Sequence, residues 1–153
     1  MIHFLIIGVA GLFGLSQFPR MTDKFARIIL GGQIVSIALV FIRHEVTATV
    51  GFVLFALTLF GAIIYAFANK EIDSKKRWLI AIPALFVFVL YIFRFQHYPG
   101  ANFLAMLMFI PLVICIYIML KERSKFQNEL GFLTIIGAEA LLAVLSWVEL
   151  LVE

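Results

Sequence analysis

The sequence predicts an all-α fold, a polytopic transmembrane bundle of six helices in a single domain. Hydrophobic residues make up 64% of the 153 residues and charged residues 14%, whereas soluble domains average about 45–50% and about 25%. Mean hydropathy is +1.11. Apolar runs recur along the whole chain, with only short polar stretches between them. A chain of this composition is predicted to fold in a lipid bilayer. The bilayer is therefore the first partner that the sequence predicts.

Six apolar runs define the predicted helices. A helix needs about 20 residues to cross about 30 Å of hydrocarbon. The runs cover residues 2–18, 26–42, 46–68, 78–93, 101–120 and 130–152. The first, second and fourth are short for a bilayer, which favours a tight bundle or a larger assembly whose neighbours cover the helix ends. The first run has no positively charged start, so we expect it to be retained as a helix rather than cleaved as a signal peptide.

Basic residues divide unequally between alternate loops. Of the twelve Lys and Arg residues, only Arg43 and Arg94 fall in one set of loops. The other ten fall in the alternate set: Arg20, Lys24, Arg27, Lys70, Lys75, Lys76, Arg77, Lys121, Arg123 and Lys125. Because positive charge is retained on the cytoplasmic side, this count predicts that both termini are non-cytoplasmic, N-out and C-out. The predicted location is the bacterial inner (plasma) membrane.

Composition and motifs exclude several classes of function. The net charge is +3 and the pI is near 9.2, but the basic residues form no continuous face, so the sequence predicts no nucleic-acid partner. It contains no nucleophile paired with a base and no phosphate-binding loop. We therefore expect no enzymatic activity, no catalytic residue and no cofactor.

Glu139 is the most informative single residue, because it lies near the middle of the last predicted helix. A carboxylate at that depth costs several kcal/mol when it is charged and unpaired. We expect it to be protonated, hydrogen-bonded or facing a wet cavity, with Ser36, Thr58 or Tyr117 as candidate partners at similar depth. A proton or ion site and a structural interhelical hydrogen bond are both compatible with the sequence, and the second is commoner in membrane bundles.

The histidines all lie at the predicted outer face. His3, His44 and His97 are joined there by Glu45 and Glu149. Three histidines near carboxylates could bind a divalent metal or respond to pH. No two of them have the spacing of a metal motif on one helix, so no metal site is predicted.

Small and special residues indicate packing. Gly8, Gly11 and Gly14 recur at three-residue spacing in the first helix, which allows close approach of another helix. Gln33, beside two glycines in the second helix, is expected to pack, with a polar site as the alternative. Pro111 lies in the middle of the fifth helix and is expected to kink it.

Two outer hairpins each carry an Arg and a His. Arg43 is followed by His44 before the third helix, and Arg94 is followed by His97 before the fifth. After His97, Pro99 and Gly100 have the order of a type II turn. We predict that both hairpins belong to the outer surface.

The segment Arg94 to Asn102, RFQHYPGAN, resembles the hairpin of the membrane stator subunit of the gliding-motility and type IX secretion motor of Bacteroidota. It is also similar to hairpins of other small membrane proteins of those bacteria, and it covers at most a third of the chain. In the stator family the first helix supplies a basic residue, matched by Arg94, and the turn a His, matched by His97. The family's second helix carries an essential acid, whereas residues 103–120 contain none. The resemblance implies that this segment has the hairpin geometry of the stator family. It does not imply that the chain generates proton-driven torque.

Two functions are predicted. The first is a non-enzymatic accessory or structural subunit that packs against other integral membrane subunits, or against itself, in a larger inner-membrane complex such as an ion-driven one. The alternative is a small proton- or cation-coupled transporter or channel, in which Glu139 is the ion site and Pro111 supplies a hinge.

Overall fold

The computed structural model describes residues 2–42 and 44–152. In these residues every regular element is a helix. Six segments are long and apolar enough to span a membrane, which confirms the predicted all-α bundle and makes the chain a multi-pass membrane protein. The helices are α1 Ile2–Gln17, α2 Lys24–Phe41, α3 Glu45–Ala68, α4 Ser74–Phe95, α5 Ala101–Leu107, α6 Phe109–Tyr117 and α7 Leu130–Val152. The fifth span, Ala101–Phe126, combines α5, α6 and the irregular helical turns that follow them.

The helix ends gather at two opposite faces. The start of α1, the end of α4 and the later part of α7 meet at one of them, since His3, His97 and Ser146 border one cavity. We call this the histidine face. The other, which we call the basic face, consists of the polar segments 18–24, 69–74 and 121–129, linked for example by the Thr22 amide, which donates to Asn128 over 2.7 Å. The N-out and C-out orientation stays a prediction.

Helix α7 is the central helix of the bundle. In its most apolar stretch 56% of the residues are buried, against 22–39% in the other spans, and it contacts α1, α2, α4, α5 and α6. Its close neighbours depend on glycine. A methyl group added at Gly137 would lie 2.9 Å from the Cys115 Cβ, and one added at Gly131 would lie 2.7 Å from the Leu30 Cδ2. The absence of side chains there lets α2 and α6 approach α7 closely.

The three glycines of α1 face neighbours within the same chain. A Cβ on Gly8 would lie 3.9 Å from the Phe41 ring, and one on Gly11 would lie 3.7 Å from Ile37. One on Gly14 would meet Leu30 at 3.0 Å and, on α7, Ile135 at 3.3 Å. This stripe therefore packs α1 against α2 and α7.

Two helix boundaries reflect local chemistry. Helix α4 begins at Ser74, four residues before the predicted start, because the Asp73 carboxylate accepts a hydrogen bond from the Lys76 amide over 2.6 Å and caps the helix. The fifth span is interrupted at Met108, between α5 and α6. Pro111 explains that break, since it has no N–H to donate to the carbonyl four residues earlier, that of Leu107.

Candidate functional site

A cavity of about 840 Å³ extends into the bundle from the histidine face, between α1, α2, α3, α4 and α7. Helical spacing of three and four residues brings one side of each helix to it. On α7 these residues are Glu139, Leu142 and Ser146, and on α4 they include Phe88, Tyr91 and Phe95. The volume lies within the range of about 300–1,000 Å³ that is typical of ligand pockets.

Glu139 projects into this cavity from the middle of α7. It lies roughly 14 Å along the helix from Leu130, at a rise of 1.5 Å per residue. Its side chain is only partly covered, because it borders the cavity. The polar groups that act on its carboxyl are the Tyr91 hydroxyl and the positive charge of the Arg94 guanidinium, both on α4. Of the situations expected from the sequence, a carboxyl facing a cavity is the one found.

The partners predicted for Glu139 are engaged elsewhere, and this expectation was wrong. The Ser36 hydroxyl donates to the Gly51 carbonyl over 2.5 Å, although Ser36 also borders the cavity. Thr58 donates to the Phe55 carbonyl in its own helix over 2.7 Å. The Tyr117 hydroxyl contacts Glu122 at the basic face over 3.0 Å.

Tyr91 was missed as a partner because a tyrosine in an apolar run is not distinguished from the other aromatic residues of that run. Its position three residues before Arg94, on the same side of the helix, was the available signal. Its ring packs against Phe55, with ring centroids 5.0 Å apart, and against Phe52 at 5.7 Å. These contacts restrict the orientation of the Tyr91 ring.

The mouth of the cavity is polar. Four residues of the histidine face line it: His3, Arg94, Gln96 and His97. Among the described residues, no three His, Cys, Asp or Glu side chains come together in a way that could hold a metal ion. Positive and neutral groups therefore surround the entrance, and the carboxyl of Glu139 lies deeper.

His97 has an unusual backbone conformation that fixes its position at this mouth. Its φ is 53°, in the left-handed region. The Tyr98 amide donates to the Phe93 carbonyl over 2.9 Å and the His97 amide to the Arg94 carbonyl over 3.2 Å. These two bonds, with the Phe93 and Tyr98 rings in edge contact at 5.5 Å, form a Schellman motif that ends α4.

The other predicted hairpin residues lie away from the cavity. His44 is exposed and precedes the first residue of α3. Pro99 and Gly100 are exposed, and Gly100 has a φ of 98°, as the third residue of a type II turn requires. Arg43 lies outside the described residues.

An apolar layer separates Glu139 from the basic face. Glu139 lies ten residues after Glu129, about 15 Å along the helix. Within that interval Phe132, Leu133 and Ile136 are at most 2% exposed, and none of them lines the cavity. The cavity therefore reaches the residues of the histidine face and does not extend through this layer towards the basic face.

A second polar cluster lies below that layer. The Tyr65 hydroxyl donates to the Glu129 carboxylate over 2.8 Å and also lies 3.3 Å from Asp23. The Lys76 Nζ lies 2.9 Å from the other Glu129 oxygen, and the Asn69 amide reaches Asp23 over 3.3 Å. This cluster joins α2, α3, α4 and α7.

Gln33 is fully buried in α2, and in the described part of the chain its amide makes no hydrogen bond. It lies one turn from Ser36, which borders the cavity, but does not itself line the cavity. The Thr58 methyl group packs against the preceding residue, Gly32, where an added Cβ would lie 2.5 Å from it. Gln33 therefore packs in the interior of the bundle, and its amide has no hydrogen-bonding partner among the described residues.

Comparison with protein-family models, with curated proteins and with solved structures found no match for this chain. The fold and the site alone therefore define its class, a polytopic α-helical membrane protein with a cavity around an intramembrane carboxyl group. The resemblance to the stator hairpin stays a prediction.

Proposed function

We propose that this chain is a small proton- or cation-coupled transporter of the bacterial inner membrane, with Glu139 as its coupling group. The observation that carries the proposal is the position of Glu139, in the middle of a helix long and apolar enough to span a membrane and on the wall of a cavity of about 840 Å³. Intramembrane acids that face cavities are typical of proton and ion pathways. Of the two functions predicted from the sequence, this cavity favours the transporter.

Charge gives the cavity two states. Arg94 is permanently protonated and acts on the Glu139 carboxyl. When Glu139 is ionised, the two charges cancel, and when it binds a proton, the pair carries one positive charge. A cation enters more easily in the first state and an anion in the second, so binding of the solute and binding of the proton are coupled.

The closed end of the cavity fits a transporter that is open to one side at a time. The contacts of Phe132, Leu133 and Ile136 with the neighbouring helices must open for a solute to reach the basic face. The interrupted fifth span packs against α7 on both sides of Met108. A bend at Pro111 is therefore positioned to move α7 relative to its neighbours.

A proton-flux assay tests this proposal. The purified chain is reconstituted in liposomes that contain a pH-sensitive dye, and a potassium diffusion potential drives protons inward. We expect acidification with the native chain and with Glu149→Gln, an exposed acid on the same helix, and a reduction of at least about tenfold with Glu139→Gln. Equal flux in the native chain and Glu139→Gln would contradict the proposal, and no flux in either would exclude passage of protons through Glu139 without a solute.

The accessory or structural subunit is the alternative. Its support is an apolar stripe along one side of α1, formed by Ile2, Leu5, Val9 and Leu12, each 59–68% exposed. Lipid or another subunit can cover such a stripe. Native purification that yields a stoichiometric partner chain, together with absence of flux from the chain alone, would favour this function over the transporter.

A further inference from the structure

A second cavity, of about 640 Å³, lies at the basic face between the end of α1 and the end of the fifth span. Three cationic side chains line it: Arg20, Lys121 and Arg123. Gln17 and Ser124 add neutral polar groups, and the lining contains no carboxylate. The cavity is separate from the site around Glu139, and inferences about it do not depend on the proposed transport function.

The charges of this cavity are not compensated within the described residues. Glu122 lies between Lys121 and Arg123 in the sequence, but its carboxylate is bound to Lys75 and to Lys125, over 2.8 Å in each case. The only other ion pair in the described chain joins Lys76 to Glu129. Three positive charges therefore converge without a counterion, which makes the cavity attractive to an anion.

Irregular backbone brings these cations together. The fifth span ends in a π-helical turn, Ile118–Glu122, followed directly by a 3₁₀ turn, Arg123–Phe126. On the other side, α1 ends in the 3₁₀ turn Phe18–Arg20. π-Helical turns are rare and recur at functional sites. Here the turns place the charged ends of two neighbouring spans around one space.

The cavity also has an apolar side that continues into the membrane. Leu120 lines it and is 76% exposed. Closer to the middle of the same span, Val113 and Ile116 are 61% and 46% exposed. A ligand with an anionic head at the cations and an apolar tail along this span matches both surfaces. Basic pockets at the ends of membrane helices bind anionic lipid headgroups in this way.

We propose that the cavity formed by Arg20, Lys121 and Arg123 binds the phosphate headgroup of an anionic phospholipid, whose acyl chains lie along the exposed side of the fifth span. The cations supply the recognition, Gln17 and Ser124 supply neutral hydrogen-bonding groups, and Leu120 borders the first part of the acyl chains.

Native mass spectrometry of the full chain tests the proposal. The chain is incubated in detergent with equal amounts of phosphatidylglycerol and phosphatidylcholine, and bound lipid is counted for each variant. We expect the native chain to retain phosphatidylglycerol preferentially. The double variant Arg20→Gln/Lys121→Gln is expected to bind it about 25-fold more weakly, since each cation near the surface contributes about fivefold.

The matched control removes two charges from the same face outside the cavity. Lys24→Gln/Lys70→Gln changes two exposed residues and is expected to keep the preference for phosphatidylglycerol. The single variant Arg123→Gln, which also changes an exposed residue, provides a second test if the double variant does not fold. An equal loss of preference in the cavity and control variants, or no loss in either, would overturn the proposal. Competition by inorganic phosphate without selective retention of phosphatidylglycerol would assign the cavity to a free anion instead.

Discussion

Glu129 shows how a single residue can connect several helices of this bundle. It is 1% exposed, and its two carboxylate oxygens are used by different helices: Tyr65 of α3 donates to one, and Lys76 of α4 lies beside the other. The Lys76 ammonium group also donates to the Lys125 carbonyl over 2.8 Å. Removing the carboxylate would therefore leave a largely buried positive charge without its counterion.

We expect Glu129→Ala to destabilise the chain by about 3–5 kcal/mol, the usual cost of removing one partner of a buried ion pair. Glu129→Gln should cost less, because an amide oxygen can still accept from Tyr65. The measurement is denaturant unfolding in detergent, with the exposed Glu71→Gln as control, for which we expect a change within about 0.5 kcal/mol. Native-like stability of Glu129→Ala would show that the cluster contributes nothing.

The sequence did not reveal this residue, and the reason is physical. Glu129 ends a polar stretch with several charged residues, 121–129, and sequence alone does not indicate which of them turns inward. Glu139 could be identified from the sequence, because a single acid in a long apolar run is informative without any tertiary contact. Its partner Tyr91 lies on another helix, so only the packing of α4 against α7 identifies it.

At the scale of an element, α3 approaches α2 closely at Gly51. A Cβ added at Gly51 would lie 2.9 Å from the Ser36 carbonyl oxygen, a backbone atom that cannot turn aside as a side chain can. The Ser36 hydroxyl donates to the Gly51 carbonyl at the same place. Gly61 on the same helix is less constrained, since its Cβ would meet the Ile29 Cγ1 at an ordinary 3.8 Å.

Alanine substitution at these two glycines should have opposite effects. We expect Gly51→Ala to destabilise the chain by about 1–3 kcal/mol through overpacking. Gly61→Ala should be neutral or stabilising by up to about 1 kcal/mol, because alanine is the better helix former. Thermal unfolding of both variants in the same detergent checks this order. If Gly51→Ala were the more stable variant, the close contact between α2 and α3 would be wrong.

Helix positions were predictable from the sequence to the extent that their causes are local. The apolar runs and the break near Pro111 follow from composition and from a missing N–H group. The start of α4 could not be predicted in this way, because Lys75 and Lys76 belong to its first turn only through the cap at Asp73. The charged side chains of that turn reach out to Glu122 and Glu129, contacts that only the folded bundle provides.

At the scale of the whole molecule, charge divides the two faces. The ion pairs found in the described chain all lie at the basic face. The histidine face carries Arg94, His97 and the cavity that leads to Glu139. If positive charge is retained in the cytoplasm, the cavity opens to the outside, and a transporter in this state would receive its solute from there.

Cysteine labelling tests that orientation. The one native cysteine, Cys115, is 2% exposed, so it should react little with a membrane-impermeant maleimide in either intact or permeabilised cells. Gln96→Cys and Glu71→Cys place a thiol at exposed positions of the histidine face and the basic face. We expect Gln96→Cys to be labelled in intact cells and Glu71→Cys only after permeabilisation. The reverse pattern would make the basic face external, and the cavity around Glu139 would then receive its solute from the cytoplasm.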